Sequence, residues 1–358
     1  MAGGFAGRLE QYIHSEATVN MRAALLYKGR DMRVEEVPQP IPEAGEALVK
    51  VRMVGLCGSD LHRYTGDRPV AYYPIILGHE YYGEVVGLGE GVTNVKLGEK
   101  VVGRPFVSCG HCQDCLTGHS NICKARVTIG QKRPGCFAEY IAVPASTLYH
   151  INDDVRPEDA AMCEPTGIVM RTISKAGNLM GKRVAIIGAG AMGLLTLRMC
   201  IQAGALCYSC DVVPKKLQIA KEFGAVDIIN SAEENPIEKA LALTGGRGPD
   251  VVIETAGITK TLEQAIEMAR FGGRVVALGL ATKPAGIVPA TIAQKELTIV
   301  GSIYYVEDFG QGVDLINAHK MDYSGLISHI LPLEKIADGF EMLLDGKEAV
   351  KILVDMEK

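Results

Sequence analysis

The stretch "RVAIIGAGAMGLLTLRMCIQA", residues 183–203, narrows the available folds more than any other part of the chain. An apolar strand runs straight into Gly188-Ala189-Gly190-Ala191-Met192-Gly193, and a helix follows at once. The next strand pattern, "LCYSCD", ends in Asp211, eighteen residues after Gly193. Strand, Gly-x-Gly-x-x-Gly turn, helix and a spaced carboxylate together form a dinucleotide-binding pattern. The reason is backbone approach. Gly188 permits the tight turn, Gly190 removes the side chain where a pyrophosphate comes close, and Gly193 lets helix and strand pack. The helix N-terminus then offers free N–H groups and a positive dipole to the phosphates. Asp211 accepts hydrogen bonds from ribose hydroxyls and repels a 2′-phosphate, which favours NAD over NADP. Lys216, one turn on, either tempers that repulsion or is simply solvated at a helix start.

The surrounding pattern agrees. From about Thr166 to Ser302, six near-continuous apolar strands alternate with helices: "RVAIIG", "LCYSCD", "DIIN", "DVVIETAG", "GRVVALGL" and "ELTIVGS". This is the signature of an α/β doubly wound parallel sheet. From Met21 to about Glu164 the runs are short and β-type, punctuated by glycine and proline, which predicts an irregular β-barrel. The tail after Tyr304 mixes helices near 307–319 and 335–345 with a last strand, "KILVDM". Residues 1–20 differ from the rest and read as an extension, either disordered or a native arm.

Composition excludes several classes. Hydrophobic residues make up 47 % and charged residues 22 %, enough apolar content for a large core. A net charge of −5 argues against a nucleic-acid or anionic-membrane surface. No apolar run reaches the roughly 20 residues of a bilayer span, and the start of the chain lacks a secretion-signal pattern. The expected location is therefore the reducing cytoplasm. There, ten cysteines argue for metal or buried thiols over disulfides.

Four of the ten cluster in "FVSCGHCQDCLTGHSNICKA", residues 106–125. Cys109, Cys112, Cys115 and Cys123 suffice to close a tetrahedral zinc shell, so that ion should be structural. His111 and His119 are then solvent-facing. A catalytic ion needs a free coordination position. Cys57 in "VGLCGSDLH", His79-Glu80 in "ILGHEYYGEV" and Glu164 in "MCEPTG", expected at the domain junction, supply one thiolate, one imidazole and one or two carboxylates. Zinc in such a set lowers the pKa of an alcohol hydroxyl, preparing hydride donation to nicotinamide. Ser59 and His62 are candidates for the relay that carries the proton to water, and Asp60 for the acceptor that orients a metal-bound histidine. Cys136, Cys163, Cys200, Cys207 and Cys210 lack ligand spacing and read as buried thiols, with Cys207 and Cys210 on opposite faces of one strand. Tyr81, Tyr82, Tyr304 and Tyr305 either border a substrate pocket or pack at an interface. Arg68 and Lys295 either read an anionic substrate or are solvated.

These stretches resemble the zinc-dependent medium-chain dehydrogenase/reductase family of the alcohol dehydrogenase superfamily. The resemblance is carried by "CGSDLH", "GHEYYGEVVGLGEGV", the four-cysteine lobe, "GCFAEY", "CEP" and "GAGAMG", and runs from Met21 nearly to Lys358. It implies a GroES-like zinc domain from residues 21–165 and 303–358, with a Rossmann domain at 166–302 inserted between them. It implies catalytic zinc at Cys57, His79 and Glu80 with Glu164 as a nearby exchangeable ligand, and structural zinc at the four cysteines. Ser59 and His62 match the family's relay; Met192, Asp211 and Lys216 match its coenzyme contacts; Leu278, Gly279, Leu280, Ser302 and Ile303 match its nicotinamide-side segments.

Within the family, Glu80 after His79 and the Cys-Glu-Pro at 163–165 resemble sorbitol-type polyol dehydrogenases. "GHEYYGEVVG" and "RPGCFAEY" are equally similar to threonine 3-dehydrogenases, although "PTGIVMRTI" and "GSIYYVEDFG" depart from that branch. The expected activity is oxidation of a secondary alcohol of a polyol-like molecule to a ketone, with NAD. L-threonine or amino-alcohol oxidation, and a catalytically silent NAD-binding relative, are the alternatives. The resemblance also implies a homo-oligomer, a dimer or tetramer.

Overall fold

The computed structural model describes residues 19–358. The expectation for the extension therefore lies, up to residue 18, outside the described residues. The chain divides into two compact units, one built from the chain up to Gly167 together with Val306–Lys358, the other from Ile168–Tyr305.

The second unit holds a six-stranded sheet, parallel throughout. Its order is Asp227–Asn230, Leu206–Asp211, Arg183–Ile187, Val251–Glu254, Arg274–Ala277 and Thr298–Gly301. All six strands read from the sequence are present. They were legible because the inner strands carry continuous buried apolar runs, such as residues 184–187 and 251–253, of the kind a parallel sheet needs. Ala185, Ile187, Cys210, Ile229, Val252 and Val275 belong to one buried cluster. The order reverses at Arg183–Ile187, whose neighbours lead off to opposite sides. A ligand crevice is expected outside the carboxyl ends of the strands at such a point, and the glycine turn and Asp211 both sit there.

The hub of the first unit is the strand Glu46–Gly55. It pairs antiparallel with Glu80–Leu88, Tyr140–Pro144 and the last strand, Lys351–Asp355. The C-terminal segment is thus stitched into the N-terminal one. Val49, Val51, Val85, Phe137, Phe340, Ile352 and Val354 share a single core, and Phe340 stacks on Tyr64 with ring centroids 4.8 Å apart. One strand of this unit, Ile327–Pro332, parallel to Lys351–Asp355, is absent from the sequence reading. Its residues, "ISHILP", are all half-buried, so the clear apolar alternation that marks a strand never develops. No helix among the described residues is long and apolar enough to cross a membrane.

Candidate active site

The strand Glu46–Gly55 carries the chain directly to Cys57, which caps the N-terminus of the helix Gly58–Tyr64; its carbonyl accepts from the N–H groups of Asp60 and Leu61. Strand register sets Glu80 opposite Gly55. Cys57, His79 and Glu80 are therefore brought together by the pairing of two strands, and one ligand atom from each lies within 4.8 Å of the others.

The electrostatics suit a cation. Asp60 is fully buried, and its carboxylate stands 3.0 Å from His79 Nδ1 with no other hydrogen-bond partner. Burial alone would depress the His79 imidazolium, yet Asp60 first and then Cys57 hold its pKa well above the ordinary histidine value. Glu80 is 1 % exposed and pairs with the buried Lys351 ammonium, which also donates to the Leu56 carbonyl at 3.0 Å. Burial would lower the Lys351 pKa, but Glu80 first, then Cys57 and Glu164, hold it raised. Glu164 is buried, in the first turn of the helix Cys163–Ala176, outside the mutually close trio. A sulfur, an imidazole and a carboxylate form a donor set that fits zinc with a position to spare.

The relay pair is not joined. Ser59 Oγ lies 3.4 Å from the Cys57 sulfur, whereas His62 is exposed and faces Asp67 at 3.7 Å. Tyr81, Tyr82 and Tyr305 are buried in packing positions, and Lys295 Nζ is taken by the carbonyls of Glu267 and Ala269.

The sulfurs of Cys109, Cys112, Cys115 and Cys123 form a second group. Cys109–Cys115, Cys112–Cys115, Cys112–Cys123 and Cys123–Cys109 are 3.9, 3.5, 3.8 and 3.6 Å apart. Four sulfurs about 2.3 Å from a common centre in a tetrahedron stand about 3.8 Å from one another, whereas a disulfide needs about 2.05 Å. The group thus fits a closed zinc shell, and all ten cysteines are free of disulfides. Backbone N–H groups of His111 and Cys112 bring the Cys109 thiol down to about 6, while desolvation and the neighbouring thiols push Cys115 up to about 12. His111 and His119 are exposed. The other five thiols are buried. Cys200 contacts Cys207, and Cys210 meets Ser231 at 2.8 Å.

In the second unit each glycine of the turn has its own reason. Gly188 adopts φ +100°, and a Cβ there would come within 2.7 Å of Thr255 Oγ1. A Cβ on Gly193 would lie 1.7 Å from the Gly188 carbonyl oxygen. A Cβ on Gly190, the cap of the helix Ala191–Gln202, would point into open space with nothing beyond its chain neighbours within 4 Å, and its absence leaves the side-chain-free surface a pyrophosphate needs. Asp211 Oδ2 accepts the Ala189 N–H at 2.6 Å, and Oδ1 those of Val212 and Val213 at 2.7 and 2.9 Å. It lines a pocket with Ile187, Gly188, Ala256, Ile258 and Thr261. Met192 and Lys216 are half-buried at neighbouring helix starts. Leu278 and Gly279 donate to the Glu254 carbonyl, and Leu280 and Ile303 are exposed. The Ser302 hydroxyl is turned inward, buried against Thr172 Oγ1 at 3.1 Å.

Comparison with known proteins agrees with this geometry. Residues 43–153 match the alcohol dehydrogenase GroES-like domain family and residues 191–318 the zinc-binding dehydrogenase family. The chain is 35 % identical to an L-threonine 3-dehydrogenase of Bacillus licheniformis, covering 94 % of this chain and 99 % of the relative. The chain belongs to the zinc-dependent medium-chain dehydrogenase/reductase family. This dehydrogenase is also 33 % identical to a sorbitol dehydrogenase of Bacillus subtilis, over 94 % of its own length and 97 % of the relative's. Among solved structures, a putative zinc-binding dehydrogenase of Sinorhizobium meliloti bound to NADP superposes with a TM-score of 0.88 at 32 % identity, covering 94 % of this chain and all of that one. The dehydrogenase is an oxidoreductase with a GroES-like zinc domain and a Rossmann domain.

Two residues of these sites escaped the sequence reading. Lys351 opens an apolar strand, where a lysine reads as a solvated end. Glu254 ends "DVVIE" as Asp211 ends "LCYSCD"; that parallel was the available signal.

Proposed function

We propose that this dehydrogenase oxidises a secondary alcohol of a polyol-like substrate (a sugar alcohol, cyclitol or related compound) to a ketone, passing the hydride to NAD+. The observation that carries this reading is the Cys57, His79 and Glu80 trio, a three-donor set inside a fold that also holds a dinucleotide turn. Zinc bound there supplies Lewis acidity, lowering the pKa of an alcohol enough for hydride loss near neutral pH. The chain's own groups do the rest. Asp60 fixes the His79 ring, Lys351 holds one Glu80 oxygen, and Glu164 stands by as an exchangeable donor. Ser59, beside the Cys57 sulfur, accepts the alcohol proton while handing its own on through water to His62, which is exposed and does not contact Ser59. The four-cysteine group holds a second, structural zinc.

Asp211 favours NAD over NADP. Three backbone N–H groups anchor its carboxylate at the pocket edge, where it accepts from ribose hydroxyls and opposes a 2′-phosphate. An even-numbered homo-oligomer is supported by the edge strand Thr298–Gly301, which is largely exposed and carries Ile299 at 36 % exposure. Such an edge invites pairing with a second chain. Ten unpaired thiols suit a reducing cytoplasm.

L-threonine oxidation is the second reading, favoured by the 35 % identity to a threonine 3-dehydrogenase. A panel of polyols, cyclitols and L-threonine, followed at the reduced-coenzyme absorbance band, separates the two. The proposal expects polyol-dependent, chelator-sensitive NADH formation. L-threonine as the preferred substrate would replace it with the second reading, and chelator-insensitive turnover would remove the metal-assisted chemistry.

A further inference from the structure

Glu254 is a buried carboxylate that the reaction described above does not use. It closes the strand Val251–Glu254 at 1 % exposure and, in register with Ile187, stands one strand from the glycine turn. One oxygen, Oε1, accepts from the Ala256 N–H at 2.8 Å, the Gly257 N–H at 2.9 Å and the Thr261 hydroxyl at 2.8 Å. The other, Oε2, lies against Gly279, where a Cβ would approach it to 2.4 Å and the Gly257 nitrogen to 2.2 Å. The Glu254 carbonyl accepts from Leu278 and Gly279 at 2.9 and 3.0 Å. Thr255 ties the same point to the glycine turn, its Oγ1 donating to the carbonyls of Ile187 at 2.9 Å and Gly188 at 3.2 Å. One residue thus joins the turn at 256–261, part of the pocket beside Asp211, to the segment at 278–280.

The three groups that donate to Oε1 are neutral. Burying an anion on neutral donors alone is costly unless the donors converge on it, and charge-assisted hydrogen bonds of this kind are the stronger ones. A glutamine would accept more weakly and would set an NH2 group against the backbone of Gly257 and Gly279. The arrangement is therefore specific to a carboxylate.

We propose that Glu254 is a positioning residue for the coenzyme. Its Oε1 holds the turn read as carrying the adenosine half, its Oε2 packs against Gly279 and its carbonyl holds Leu278 and Gly279, so the two halves of the dinucleotide meet a single preset surface. The inference rests on reading 278–280 as the nicotinamide-side segment. The test is the affinity of the full-length protein for NADH and for AMP, which carries the adenosine half alone, in wild type and Glu254→Gln, with melting temperature as the check on folding. The expected result is NADH binding weakened about tenfold, the scale of one charge-assisted hydrogen bond, with AMP binding changed less than about twofold. Equal weakening of both ligands, or no change in either, would overturn the role of Glu254. Wild type binding NADH no more tightly than AMP would instead remove the nicotinamide reading beneath it. If the glutamine variant fails to fold, Glu254→Asp keeps the charge, withdraws the acceptor by one methylene, and must show the same split.

Discussion

At position 55 the backbone passes so close to the Glu80–Lys351 pair that a Cβ would lie 2.0 Å from Glu80 Oε2 and 3.1 Å from Lys351 Nζ. Only glycine leaves room there for the pair, and the pair in turn fixes the carboxylate beside Cys57 and His79. Breaking a buried ion pair by removing one partner leaves an uncompensated charge, typically at a cost of about 3–5 kcal/mol. Lys351→Met is therefore expected to lower unfolding free energy by about that amount in denaturant titrations, and adding Glu80→Gln should restore part of it. A Lys351→Met protein as stable as wild type would mean that the pair contributes nothing. Residues of this kind are the hardest to read in advance. His79, Glu80 and Cys57 stand in short recognisable stretches, whereas Lys351 meets Glu80 across 271 positions of sequence, a contact that only strand pairing creates.

Elements with a strong local rule were legible. The glycine turn and the four-cysteine lobe each occupy one short span, and their spacing carries their geometry. The lobe's sulfurs stand 3.5–3.9 Å apart, and its only α-helix is the four-residue Gln113–Leu116. With so little regular structure to hold the loop, a zinc ion held by the four sulfurs would contribute folding free energy directly. Cys112→Ala should lower the melting temperature and the soluble yield, while zinc analysis should show about one ion fewer per chain. An unchanged melting temperature would argue that the lobe folds without metal. The strand Ile327–Pro332 and the separation of Ser59 from His62 were not legible, because half-buried strands lack a period and side-chain partners are chosen by tertiary packing.

For the whole molecule, the proposed catalytic trio and the proposed coenzyme turn lie in different units of the chain. Cys57, His79 and Glu80 belong to one, and the glycine turn and Asp211 to the other. Coenzyme preference should therefore respond to the second unit alone. Asp211→Asn removes the charge while keeping an acceptor, and is expected to reduce the kcat/KM preference for NAD over NADP by about tenfold, the scale of a modest like-charge repulsion. An unchanged ratio would show that Asp211 does not set the choice. The central claim, that the trio around Cys57 holds the catalytic zinc, is tested most directly by counting zinc in purified Cys57→Ala protein. Two ions per chain in wild type, one in the variant and no alcohol-dependent NADH formation is the predicted result. Two ions in the variant with full turnover would contradict it.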